Sequence, residues 1–254
     1  MWKKIRVSIL LLVLAVVLFD LWRANAQMDW QQPFHVALHP INADGSTRVA
    51  AYIQTLRTTD FQAIEQYFSA EAARHQLPLA RPVLLQLGAT LERIPPAPPV
   101  GGHLLEVIGW SLKFRYYAWR NSPPMPVRPQ IRMYLLYHDP TIQPRLTHST
   151  ALEKGRIGRV NLFGTTKQHE QNMVVLAHEL LHTVGATDKY DLSNSLPIYP
   201  FGYADPQRQP RYPQQRAELM GGRVPLSPSN AKIPRDLNQT MMSELTAREI
   251  GWVK

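Results

Sequence analysis

The residues of this chain best suited to chemistry are His178, Glu179 and His182, in the run His178-Glu179-Leu180-Leu181-His182. Residues four apart on a helix stand one above the other on the same face, so both imidazoles reach a single metal ion and Glu179 points to the side of it. That is a zinc site with a base beside it. Three positions after His182 comes Gly185, where a glycine ends a helix in a left-handed conformation and turns the chain back on itself. Asp188 is then placed to return to the metal. In the order HExxHxxGxxD, the two histidines and the aspartate read together as the ligands of one zinc ion. With no cysteine in the chain, a thiolate ligand and a disulfide are both excluded, and any metal must be held by His, Asp, Glu or Tyr.

Three protein ligands leave zinc a fourth position for water, whose pKa the ion lowers to about 7. Glu179 is placed to take that proton and pass it to a leaving amine. Tyr190 is near enough in sequence to donate a hydrogen bond to the scissile carbonyl, or else packs in its loop. Asp191 beside it is a spare ligand. Glu218 is the alternative third ligand, since a glutamate on a later element is another common way to complete an HExxH site. His35 and His39 have a spacing that closes no chelate on a strand, and His138, His148 and His169 have none that ties them to the site.

The elements that must position these groups can be read from periodicity. Met173, Ala177, Leu180, Leu181 and Val184 form an apolar stripe at helical spacing, which places the histidines at the edge of a core. Phe34 to Leu38 reads as a strand ending at His39-Pro40, and Thr47 to Leu56 as a helix. A second helix follows Thr59 or Asp60, with Phe61, Ile64, Phe68 and Ala72 on its inner face. Pro82 to Leu91 and Ile131 to Tyr137 read as strands. Residues 94–99 form a proline-rich connector too short to link domains. Ile157 to Phe163 is a strand leading into the metal helix, where a protease would add an extended peptide to a sheet edge. Asp191 to Arg216 is too polar and broken for regular structure. A short helix capped by Ser243 or Thr246 closes the chain, with Trp252 against the core. His103 to Arg120 carries Leu104, Leu105, Ile108, Leu112, Tyr116 and Trp119 at helical spacing, with Lys113, Arg115 and Arg120 among the other positions. The expected reading is a core-packing helix with a solvated face, and the alternative is a basic aromatic helix lying on a membrane.

At 254 residues the chain suits one substantial domain, taken as 27–254, behind a targeting segment at 1–26. In that segment a basic start precedes the apolar run Val7 to Phe19. Ala24-Asn25-Ala26 offers a cleavage site before Gln27, whereas Trp22 and the clutter around it favour an uncleaved single-pass anchor. Either way the domain is exported, to the outer side of the cell membrane or, after cleavage, to the periplasm or medium. Of the formal charge of +9, +3 falls before Gln27, and the remaining +6 suits a protein near anionic lipid or envelope polymers. There is no lysine-rich stripe or aromatic RNA-binding pattern, so nucleic acid is not an expected partner.

His178, Glu179, His182 and Gly185 resemble the helix and turn of the metzincin clan of zinc peptidases, and the aspartate at 188 resembles its snapalysin-like variants. The whole looks most like a bacterial membrane-anchored family with the same HELLHTxGATDKYD segment. The resemblance covers about residues 171 to 188 and 217 to 222. It implies an α/β (α+β) zincin-like domain with a mixed sheet, an active-site helix and an irregular C-terminal subdomain. There Met220 would be the methionine of the turn that supports the metal from below. It also implies a zinc endopeptidase acting on a protein or peptide substrate. Two other functions stay open, namely a zinc-containing binding or scaffold module of the cell envelope and a zinc amidase on a non-protein amide.

Overall fold

The computed structural model describes residues 2–8, 10, 11, 14, 15 and 30–253. In the expected targeting segment, residues 2–8, 10, 11, 14 and 15 are helical and exposed. The remainder of that segment, including Trp22 and the expected cleavage site before Gln27, lies outside the described residues. Among the described residues no helix is long and apolar enough to cross a membrane.

The centre of the fold is a five-stranded mixed sheet built from β1 (Phe34–Asn42), β2 (Val83–Leu87), β3 (Ile131–His138), β4 (Thr150–Leu152) and β5 (Ile157–Phe163). Their order is β2-β1-β3-β5-β4. β1, β2, β3 and β5 run parallel, and β4 joins antiparallel to β5 at the edge. β1 and β3 are buried along nearly their whole length, as inner parallel strands are when both sheet faces are covered. Side chains alternate cleanly between those faces. Phe34, Val36, Leu38, Ile131, Met133, Leu135, Tyr137, Val160 and Leu162 point to one, while Ile41, Tyr134, Leu136 and Ile157 point to the other.

The first face is covered by α1 (Thr47–Thr55), α2 (Gln62–Arg74) and α4 (His169–His182), and the second by α3 (Leu104–Asn121). The chain is therefore a mixed α/β fold, with helices on both sides of the sheet. Beyond α4, the segment up to residue 216 is irregular. It leads into a C-terminal part of short pieces: β6 (Ala217–Glu218), β7 (Val224–Ser227), β8 (Asn230–Lys232), β9 (Thr240–Met241) and α5 (Glu244–Glu249). Ser243 caps α5 by accepting from Thr246 N, and Trp252 packs edge-on against Trp30 and Phe68.

Four expectations are corrected. β1 does not end at His39-Pro40 but continues to Asn42. β2 pairs with β1 only as far as Leu38, so the N–H that Pro40 lacks is not missed on that side, while its carbonyl accepts from Leu91 N at 2.9 Å. β2 is shorter than Pro82 to Leu91, and Leu91 keeps only an isolated bridge to Ile41. β5 is not an open edge, because β4 covers its first half and residues 147–149 bond to Asn161 along its second.

The largest correction concerns α3. Leu104, Leu105, Ile108, Leu112, Tyr116 and Trp119 do not face the core but are exposed, while Trp110, Phe114, Tyr117 and Ala118 are the buried residues. This helix carries two apolar stripes on opposite sides, and the sheet can take only one. The stripe with three rings fills the hollow over Tyr134, whose ring lies 5.8 Å from Phe114 and 5.2 Å from Tyr117.

Candidate metal centre

α4 owes its position to the buried side of its own sequence. Met173, Leu176, Ala177, Leu180 and Leu181 are all within the core, and Val184 continues the stripe beyond the helix. Asn172 fixes the helix to the end of β5: its side chain accepts from Phe163 N at 3.1 Å and donates to Phe163 O at 2.8 Å. His178 and His182 then stand on the rim of the buried face. Gly185 has φ 101°, a left-handed value that favours glycine, and Ala186 N bonds back to Leu181 O at 3.1 Å.

That reversal brings Asp188 against both imidazoles. Its Oδ1 lies 3.1 Å from His178 Nε2 and 3.1 Å from His182 Nε2, and the two Nε2 atoms are themselves 3.1 Å apart. The other ring nitrogens are already committed. His178 Nδ1 donates to Leu219 O at 2.9 Å and His182 Nδ1 to Ala186 O at 2.8 Å. A carbonyl only accepts, so both protons sit on Nδ1 and both Nε2 lone pairs turn toward Asp188. Three lone-pair atoms at one spacing repel one another unless a metal ion or a proton lies among them. Zinc held tetrahedrally at about 2.0–2.1 Å spaces its ligands about 3.3–3.4 Å apart, so the triangle fits that ion within a few tenths of an ångström.

Without an ion, a proton on Nε2 bonded to Asp188 takes the cation's place. Burial pulls the His178 imidazole down, but the hydrogen bond to Asp188 and the charges of Glu179 and Asp188 lift it to about 9. Burial pushes the Asp188 carboxyl up, and the bonds and charges of both histidines outweigh it and hold it well below the usual carboxylate range.

Two carboxylates stand near the histidine pair, and they differ in kind. Glu179 has a ligand atom within 4.8 Å of the two imidazoles. Asp188 lies at one equal, shorter distance from both, which is the spacing of a ligand. Glu179 is buried and its Oε2 has no hydrogen-bond partner among the described residues, which leaves that oxygen available as a base. Burial raises its carboxyl above the ordinary value, against the pull of His178 and His182. Both His178 and Glu179 line a cleft of about 790 Å³, whose lining also includes Thr147, His148, Gly222 and Arg223. Tyr190 also lines it, with its ring 6.1 Å from that of His178. Burial and then the charges of Asp188 and Glu179 raise its hydroxyl, so it stays protonated as a donor. A second hollow of about 610 Å³, between Tyr199 and Tyr212, holds none of these residues.

Glu218 does not join the site. It is fully buried, with Oε2 accepting from Gly221 N and Oε1 from Ser243 N, Ser243 Oγ and Thr246 Oγ1. Asp191, the spare ligand, is instead a turn acid occupied by Ser193 and Asn194. Met220 is buried in the 3-10 turn Leu219–Gly221, whose Leu219 carbonyl holds His178. Among the other histidines, His148 lines the cleft, His39 stacks on Tyr134, His138 bonds Asn161, and His169 joins Tyr52 to Asp60 O.

Sequence reasoning missed Glu249 of α5. Its carboxylate accepts from Thr187 N at 3.1 Å, Thr187 Oγ1 at 2.7 Å and Lys189 Nζ at 2.7 Å, and so grips the residues on both sides of Asp188. Nothing in the local pattern around Glu249 signals this, because the contact spans 60 residues. A scan against protein-family models finds no match, and a search of curated proteins finds none either.

Proposed function

We propose that this chain is a zinc-dependent endopeptidase of the metzincin-like kind, with its catalytic domain on the outer side of the cell membrane. The observation that carries the reading is the triangle of His178, His182 and Asp188 atoms beside the Glu179 oxygen that has no partner among the described residues, with His178 and Glu179 lining an open cleft. His178, His182 and Asp188 would hold the ion. Bound there, zinc supplies an acidified water and polarisation of the scissile carbonyl.

The remaining steps belong to the protein's own groups. Glu179 takes a proton at its free Oε2 and returns it to the leaving amine, and a carboxyl raised by burial suits both halves of that transfer. Tyr190, protonated and on the cleft wall, donates to the oxygen that gathers negative charge. Leu219 O and Ala186 O keep the imidazoles in one tautomer and orientation throughout.

The test is metal analysis of the purified chain together with a proteomic cleavage screen, run beside Glu179→Gln. We expect one zinc per chain in both proteins. Hydrolysis should fall at least about 100-fold in the variant, the usual weight of a general base. Zinc without cleavage of any peptide would point to a scaffold module, and cleavage of a non-protein amide alone to an amidase. Undiminished activity in Glu179→Gln would contradict the mechanism.

A further inference from the structure

The outward face of α3 is an apolar surface that no described part of the chain covers. Leu105, Leu112 and Trp119 are 80%, 60% and 76% exposed, and Leu104, Ile108 and Tyr116 lie on the same side. Single exposed apolar residues are common on protein surfaces, but a continuous stripe along 16 positions of one helix, from Leu104 to Trp119, is an interaction surface. We infer that this face docks onto an anionic lipid bilayer.

Three observations select lipid. First, the stripe is rimmed by Lys113, Arg115 and Arg120, and the helix has one acid, Glu106, whose carboxylate is turned back onto His103 N at 3.1 Å. Arg115 also reaches the carbonyl of Lys154, on the turn between β4 and β5. Second, Tyr116 and Trp119 lie together near the C-terminal end, with ring centroids 5.8 Å apart. Amphipathic rings beside cations suit the headgroup depth of a bilayer. Third, the surface stands clear of the rest of the described chain. Among the described residues α3 is the only helix packed on its face of the sheet, and Val100, in the turn just before it, is fully exposed.

Charge disfavours the other occupants. A second copy docked through the same face would set these cations against their own images. The N-terminal segment 1–26, whose Lys3, Lys4 and Arg6 precede its apolar run, is itself cationic. Docking through α3 leaves α4 and the candidate metal centre on the opposite face of the sheet.

Because the chain has no cysteine, a single introduced thiol can be labelled uniquely. The full chain carrying Leu112→Cys with a nitrobenzoxadiazole label would be mixed with vesicles of one-third phosphatidylglycerol and two-thirds phosphatidylcholine. The N-terminal segment can hold the chain on a vesicle by itself, so the reading must be the local depth of residue 112. We expect a blue shift, and quenching by brominated lipid several-fold stronger than for the same label at Ser229→Cys, an exposed position on the turn between β7 and β8. Both effects should weaken as salt rises. Adding Leu105→Glu and Trp119→Glu should abolish them without changing the far-ultraviolet circular dichroism, since neither side chain packs in the core. No shift at residue 112 with vesicles would overturn the inference. A shift without vesicles that grows with protein concentration would assign the face to a second copy. One that is independent of concentration would assign it to the chain's own N-terminal segment.

Discussion

Glu218 and Asp188 are the two carboxylates that compete for the third ligand position, and their bonds separate them. Glu218 already accepts four hydrogen bonds, one at Oε2 and three at Oε1, from groups that tie the Leu219–Gly221 turn to the start of α5. Removing it strands buried donors. We expect Glu218→Ala to cost about 3 kcal/mol, read from urea denaturation, with zinc affinity kept in the fraction that folds. The sequence shows an acid near a methionine but not how many donors surround it. The histidine pair, by contrast, was legible, because a spacing of four on a helix is a local fact. So was the turn at Gly185. The carbonyls that orient the imidazoles divide the same way: Ala186 O comes from the turn itself, whereas Leu219 O lies 41 residues from His178 and leaves no pattern.

Among the elements, α5 controls the site without touching it. Glu249 grips Thr187 and Lys189, and the Lys189 ammonium is buried. Burial pushes the Glu249 carboxyl up, but the hydrogen bonds from Lys189 and Thr187 outweigh it and hold it below the ordinary value. A carboxyl depressed in the fold adds stability that is present above its unfolded value, about 4.3, and is lost as pH falls through the folded one. The stability gap between the metal-free native chain and Glu249→Gln should therefore be full at pH 6 and close as the pH falls below about 4. A gap independent of pH would contradict the clamp. In neutral buffer the same variant should bind zinc about 10-fold more weakly, because the loop carrying Asp188 loses its hold. α3 illustrates what periodicity leaves open. Both of its stripes have helical spacing, and which one faces the sheet depends on the hollow over Tyr134, a property of β3 rather than of the helix.

Over the whole molecule, the α/β class was expected from the resemblance carried by the metal helix, and the separate strands and helices read from periodicity fit it, but the strand order was not legible, since pairing is long-range. Pro40 misled because a proline usually ends a strand, and here it falls where the neighbouring strand has already stopped. The proposed placement outside the cell has its own test. A reporter enzyme fused after Lys254 should work only in a form active outside the cytoplasm, and deleting residues 1–23 should trap it inside. Export that survives the deletion would contradict the targeting role of that segment. The central claim is that three atoms from α4 and the turn after it hold one zinc ion. It is tested most directly by titrating zinc against a competing chelator on the native chain, Asp188→Ala and Glu218→Ala. The expected result is a loss of at least about 100-fold in affinity for Asp188→Ala alone, because a ligand rather than a supporting group is removed. Native affinity in Asp188→Ala, with the loss appearing in Glu218→Ala instead, would contradict it.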